Sequence, residues 1–490
     1  MNRATKISLI ILAIIIIVCG TLIIGANGWM SKVATKQVQI QLQALNSDTL
    51  QVGCGDVHIR LLKRKVYVDD ISFMMKGVNL RVEEVAVGPI SYRKLLRDKT
   101  VAIKRVKVQN ASLDYNDQSS KLTVHADSIY ASVNQLSYCL VDSTFSYNDS
   151  VYSLCLGSAF ITLPDGLSKA EVHNLRFEDN GPLNLGYTRY CNSVDKHKLA
   201  DMLKEPVTWI DIELNSLSTS PINPWKYADV KSYILDSLHV DVKRLHVYRD
   251  IRYPAKHPYP MPQQVLMAIP THFDVLHTDA RIHKIDVEFA STNVNCGQLH
   301  LQNFAADIWD ITNIKGKQFR SRLHGKIGKE GRAKALFVMH MNRACKFDFS
   351  LEATNIQTNN INTFLRPLVG MTCDCNINHL KTNYSGDSVR ADGEFMMLYD
   401  GLKVQVHKED DIPYKIVTKN AGTINSFVKT CVPKSNPTTA HSQPRSYKVS
   451  WKRDPSKEFP LYAFGPVING VVETMLPGVF IHKQVRKSKK

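Results

Sequence analysis

The chain has 490 residues, and 62 Lys and Arg against 45 Asp and Glu give it a formal net charge of +17. With 44% apolar and 22% charged residues it has a globular composition and ample material for a core. That balance excludes a mainly disordered chain, a collagen, a small disulfide scaffold and a polytopic channel.

In chain order, residues 1–6 form a short N-terminus, predicted to be cytoplasmic. Ile7 to Ala26 then run without a charge as ISLIILAIIIIVCGTLIIGA. A helix of about 20 residues spans a hydrocarbon core of about 30 Å, so the run predicts a transmembrane helix over 7–26. A cleaved signal peptide has a shorter apolar region, and only Gly25-Ala26-Asn27 approaches a cleavage site, so the reading is an uncleaved anchor. Arg3 and Lys6 precede the run, and Lys32 and Lys36 follow it. The positive-inside bias is thin, and a large translocated domain is the default orientation.

After the anchor, two-residue alternation dominates, as at Val57, Ile59 and Leu61, or at Ile285, Val287 and Phe289. Such strands bury one face and leave the other wet. A second pattern spaces apolar residues 2-3-2, as at Val66, Val68, Ile71 and Phe73, at Leu80, Val82, Val85 and Val87, and at Val101, Ile103, Val106 and Val108. A β-bulge, or a turn between two very short strands, produces that step. Residues 101–115 (VAIKRVKVQNASLDY) and 240–253 (VDVKRLHVYRDIRY) match each other, which points to a repeated, elongated β structure. The fold class is therefore mainly β: an elongated, curved, antiparallel-rich sheet with short capping helices. Its N-terminal part is placed at 27–250 and its C-terminal part at 251–459.

Helices are predicted over 91–98, 196–204, 225–238 and 362–368, the third behind Asn223-Pro224. The Pro- and Ser-rich stretch 432–446 reads as an exposed loop. Residues 460–490 hold an amphipathic helix with Val467, Ile468, Val471, Val472, Met475 and Leu476 on one stripe, then the basic tail KQVRKSKK. Three readings of that helix stand open: a cap on the sheet, a helix lying on an anionic membrane surface, or a second span. The last is the weakest, because three prolines and Glu473 fall in the segment.

Chemistry-bearing motifs are scarce. No phosphate-binding loop, H-E-x-x-H, G-x-S-x-G or paired C-x-x-C is present, and Gly325 to Gly331 reads as turns. Outside the anchor nine cysteines have irregular spacing, and no disulfide framework emerges. Cys373 and Cys375 share one strand face as small half-buried side chains rather than metal ligands. His58, His125, His246 and His300 are read as solvent-face strand residues, and Asp69-Asp70 and Glu83-Glu84 as solvated edges. The sequence thus offers no catalytic residue, no metal ligand set and no cofactor site. Its positive charges are dispersed among acids, so anionic lipid headgroups are a more economical partner than nucleic acid.

Residues 342–370, with an asparagine-containing helix before Arg366-Pro367, carry a resemblance. So do 382–406, with the spacing Gly393 to Leu402, 447–478, with Arg453-Asp454-Pro455, and the run VGCGDVHIRLLKRKVYVDDISF. Together with the anchor they resemble the AsmA-like proteins of Gram-negative envelopes, particularly those of Bacteroidota-type bacteria. The resemblance covers both ends and much of the second half. It implies a single-pass inner-membrane protein with a large periplasmic body, non-enzymatic, binding or conducting phospholipid acyl chains in a β-groove for outer-membrane lipid homeostasis. The alternative is an envelope scaffold or regulator with a filled core and protein partners.

Overall fold

The alternating runs become strands, and the protein is mainly β. The computed structural model describes residues 29–139, 141, 145–146, 151–222, 232–290, 296–407, 422, 425–426, 429–430, 432–439 and 441–475. The N-terminus 1–6, the transmembrane helix expected over 7–26 and the basic tail lie outside these residues. Among the described residues no helix is long and apolar enough to cross a membrane. They fall into two compact units, the first within Met1–Arg189 and Pro221–Asn223, the second within Tyr190–Ser220 and Pro224–Lys490. The division placed after residue 250 from the sequence falls inside the second unit.

The first unit opens with a helix the sequence reading did not contain, α1 (Trp29–Leu45). Its stripe Ala34, Val38 and Leu42 repeats at i, i+4 and i+8 and is fully buried. It lies against Val52, Val57, Val66, Val68 and Phe73, on β1 (Leu50–Gly53), β2 (Val57–Arg60) and β3 (Lys65–Met75). β4 (Val78–Val87) pairs antiparallel with β3. The expected short helix follows as α2 (Tyr92–Asp98), with Ser91 as its N-cap. An antiparallel series continues through β5 (Thr100–Asp117), β6 (Leu122–Cys139), the two-residue β7 (Phe145–Ser146), β8 (Tyr152–Thr162), β9 (Ser168–Glu178) and β10 (Pro182–Leu185).

The 2-3-2 steps are real backbone features. In β3 the step falls at Asp70, whose φ is 52°, and the opposing strand takes its own step at Glu83-Glu84, so the register is unchanged across it. In β5 the step expected between Ile103 and Val106 leaves the pairing with β6 in register, with the facing Gln135 at φ 61°, and a further step not read from the sequence falls at Asn110, φ 50°, where the pairing shifts around Ala111. One left-handed residue turns the strand over by one position and returns the next apolar residue to the same face.

The chain enters the second unit through β11 (Thr188–Asn192), α3 (Lys196–Leu203) and β12 (Val207–Pro221). Next come β13 (Ser232–Asp250), α4 (Pro262–Met267), β14 (His272–Ala290), β15 (Cys296–Thr312), β16 (Gln318–Ile327), β17 (Gly331–His340) and β18 (Phe347–Gln357). The unit closes with α5 (Asn359–Val369), β19 (Met371–Gly386), β20 (Arg390–Val406), β21 (Ser446–Lys452), α6 (Phe459–Ala463) and α7 (Gly465–Met475). From β12 to β21 each strand pairs with the next, antiparallel except that β13 and β14 run parallel. A parallel pair needs a long crossover, and residues 251–271, with α4, supply it.

Two expectations are corrected. The helix over 225–238 is not formed where described: 225–231 lie outside the described residues, and Ser232 already begins β13. Its alternating half, from Leu238 onward, draws the segment into the sheet. The loop 432–446 is not simply exposed. Asn436 is buried and exchanges backbone hydrogen bonds with Tyr399, and its side chain donates to the Met397 carbonyl at 2.7 Å. The two matched segments both lie in long strands, with different neighbours. β5 is antiparallel to both neighbours, whereas β13 has one antiparallel and one parallel neighbour.

Candidate functional site: a half-buried apolar sheet face

The apolar faces of the two units are covered in some places and not in others. In the first unit α1 forms a second layer over β1 to β3. In the second unit α5 and α7 pack on Ile356, Cys373, Phe395, Met397 and Val449, while α6 places Tyr462 and Phe459 against Phe347. The C-terminal helix is thus a cap on the sheet in its described part, with Val471 and Val472 turned into the core.

Among the described residues no helix forms such a layer over β6, β8 and β9. Their register puts Ile129, Ala131 and Val133 beside Leu156, Leu154 and Tyr152, and these beside Leu175 and Phe177. The opposite face carries Asp127, Ser132, Ser158, His173 and Arg176. Yet between residues 122 and 187 the only fully buried apolar side chains among the described residues are Ala126, Leu136 and Ala159. Leu154 is 37% exposed, and Val151, just before β8, is 46% exposed. In a single-layer sheet, strand neighbours shield the flanks of a side chain but not its tip. Three strands of about 11 residues, 3.3 Å apart along and 4.8 Å across, give an apolar face on the order of 500 Å². That lies in the range of the largest apolar patch of a typical monomer, which is often functional. Tyr152 closes one end: its ring lies 5.7 Å from that of Phe177, and burial together with the Asp179 carboxylate pushes its hydroxyl up to about 12.

The second unit repeats the condition over β12 to β15, where Ile210, Ile212, Leu245, Val247, Ile285 and Val287 share one face and are half-buried. Their opposite face holds a buried polar network. Asp286 accepts from His300 Nδ1 at 2.8 Å, Lys284 Nζ at 3.1 Å and Arg244 Nε at 3.2 Å. Glu288 accepts from Lys196 Nζ at 2.7 Å and meets His246 Nε2 at 2.8 Å. Burial works to raise both carboxyls, but the hydrogen bonds from His300, Lys284 and Arg244 hold Asp286, and those from Lys196 and His246 hold Glu288, below the usual carboxylate range. Every carboxylate oxygen of this pair is engaged, so the network braces the sheet under α3.

Of the histidines read as solvent-face, His58, His125 and His300 keep half or more of their side chains exposed, whereas His246 is buried. The Trp209 ring, which meets His246 edge-on at 5.2 Å, covers it together with Glu288, which Lys196 of α3 also engages. Cys373 and Cys375 do share one face and are buried rather than half-buried. The hydrogen bond between the two thiols, with burial, pushes the Cys373 thiol up. Among the described residues no three His, Cys, Asp or Glu side chains are placed to hold a metal ion. No protein-family model matches the chain, and no curated protein matches it.

Proposed function

We propose that the protein is an AsmA-like, non-enzymatic lipid-handling protein, held in a bacterial inner membrane by residues 7–26 with its body in the periplasm. In this reading the apolar face of β6, β8 and β9 takes phospholipid acyl chains. The observation that carries it is that Leu154 is exposed and Leu156, Leu175 and Phe177 only half-buried, on a face that no helix covers among the described residues. Apolar surface of that kind is stabilised by any chain that removes it from water, at about 25 cal/mol per Å².

A photo-crosslinking phenylalanine analogue at Leu156 of the full-length protein in cells is expected to yield phospholipid adducts by mass spectrometry. The same probe at Val66, beneath α1, is expected to yield none. Equal adducts at both, or none at Leu156 with the protein intact, sink the reading. The layered packing of β18 to β21 favours the scaffold alternative for that region, and protein adducts in place of lipid at Leu156 would extend it to the whole chain.

A further inference from the structure

β16 and β17 form a hairpin turning at Gly328. On β16 the residues Arg320, Arg322, His324 and Lys326 occupy one face, alternating with Phe319, Ser321, Leu323 and Gly325. Lys326 pairs with Arg332 and His324 with Lys334, so β17 adds two more cations to that face. Like charges placed directly across a strand pair are destabilising. All five Lys and Arg side chains are exposed, and among the described residues none is in an ion pair.

Arg322 is held in place: its guanidinium lies over the Trp309 ring, 5.5 Å from the centroid. Beside it a cleft of about 600 Å³ opens, bordered by Lys334 and, two strands on, by Lys381. Ser350 and Asn383 add neutral polar groups, and Leu336, 37% exposed, gives the cleft an apolar floor. Glu352 is the single carboxylate of the lining, and His379 engages it at 3.0 Å.

We propose that this cleft binds a phosphate ester carried on an apolar group, with the phosphate oxygens between Arg322, Lys334 and Lys381 and the apolar part on Leu336. Three cations lining one cleft, one of them a preorganised guanidinium, suit a phosphate while Glu352, which stands between Lys334 and Lys381 in the register, is engaged by His379, and the leucine floor selects an amphiphile over a free anion. The inference concerns the second unit and stands on its own charges, apart from the chain-binding face of the first.

Calorimetric titration of the full-length protein in dodecyl maltoside tests it, using monomeric dihexanoyl phosphatidylglycerol, inorganic phosphate and a single-stranded DNA 12-mer as probes. The lipid is expected to bind at least tenfold more tightly than inorganic phosphate. The double variant R322Q/K334Q is expected to weaken lipid binding at least tenfold. K403Q, which removes one positive charge far along β20, is expected to change it less than twofold. Lipid binding that ignores R322Q/K334Q overturns the proposal, as does equal affinity for inorganic phosphate or tighter binding of the 12-mer. An unchanged melting curve for R322Q/K334Q separates lost binding from lost folding. The Leu156 crosslink reads the other unit, so either result can fail alone.

Discussion

Asn362 replaces a missing strand for Cys373. Its Nδ2 donates to the Cys373 carbonyl at 2.7 Å, and its Oδ1 accepts from the Cys373 N–H at 2.9 Å. β18 pairs with β19 only from Asn376 onward, so the first residues of β19 have no neighbour on that side. The side-chain amide of α5 supplies both groups, and Thr358 does the same for Cys375. Asn425 repeats the device on Val406. An Asn362→Leu substitution leaves a buried N–H and a buried carbonyl unpaired, at about 1–3 kcal/mol for each. Urea unfolding followed by tryptophan fluorescence is expected to show a loss of about 2–6 kcal/mol. A loss below about 0.5 kcal/mol would mean that water replaces the amide.

Gly470 sets how closely α7 approaches the sheet. A Cβ built there would stand 2.1 Å from the Phe395 ring. Two effects oppose each other in Gly470→Ala: helix propensity gains about 1 kcal/mol, and overpacking a filled core costs about 1–3 kcal/mol. Because Phe395 is itself fully buried and has no room to retreat, overpacking wins. Net destabilisation is expected in thermal melts, and stabilisation would show that α7 slides freely on β20.

Acid should loosen the second unit through Glu288 and Asp286. Both carboxyls sit below their ordinary values of 4.5 and 3.8 in the fold, so their contribution is complete above those values and is lost as pH falls through the lower folded ones. Lys196→Met removes a partner of Glu288 and so lowers stability at neutral pH. The gap between wild type and variant is expected to narrow below about pH 4.5 and to close in stronger acid. A gap that stays constant from neutral pH to about pH 3 would assign the effect of Lys196 to packing on the Tyr248 ring instead.

Local periodicity made much of this architecture legible. The step at Val68/Ile71, the helix at Tyr92–Asp98 and the core stripe of α7 all follow from residues within about ten positions of each other. What escaped depends on distant partners. The stripe Ala34, Val38 and Leu42 is helical in spacing, but its exposed neighbours Val33 and Ile40 blur the pattern. His246 alternates as a solvent-face residue does, and it is the Trp209 ring, with Glu288 that Lys196 of α3 also engages, that buries it. The parallel step from β13 to β14 is set by the crossover through α4, which strand periodicity does not encode. The cationic hairpin face was visible as R-S-R-L-H-G-K, yet its cleft needs Lys381 from β19.

Leu42 and Leu156 turn the single-layer claim into a measurement. Leu42, on the buried stripe of α1, is 1% exposed against the strands beneath it, while Leu156, on the apolar face of β8, is only half-buried. Truncating a fully buried leucine costs about 2–5 kcal/mol, because transfer and cavity terms add. Where no second layer exists, truncation leaves no cavity and only part of the transfer term, so Leu156→Ala is expected to cost less than about 1 kcal/mol. Parallel urea titrations of Leu42→Ala and Leu156→Ala in the full-length protein give the comparison. Equal losses would place a covering element over β8 and would close the face to any acyl chain. A small loss at Leu156, together with a large one at Leu42, leaves that face open to be filled from outside.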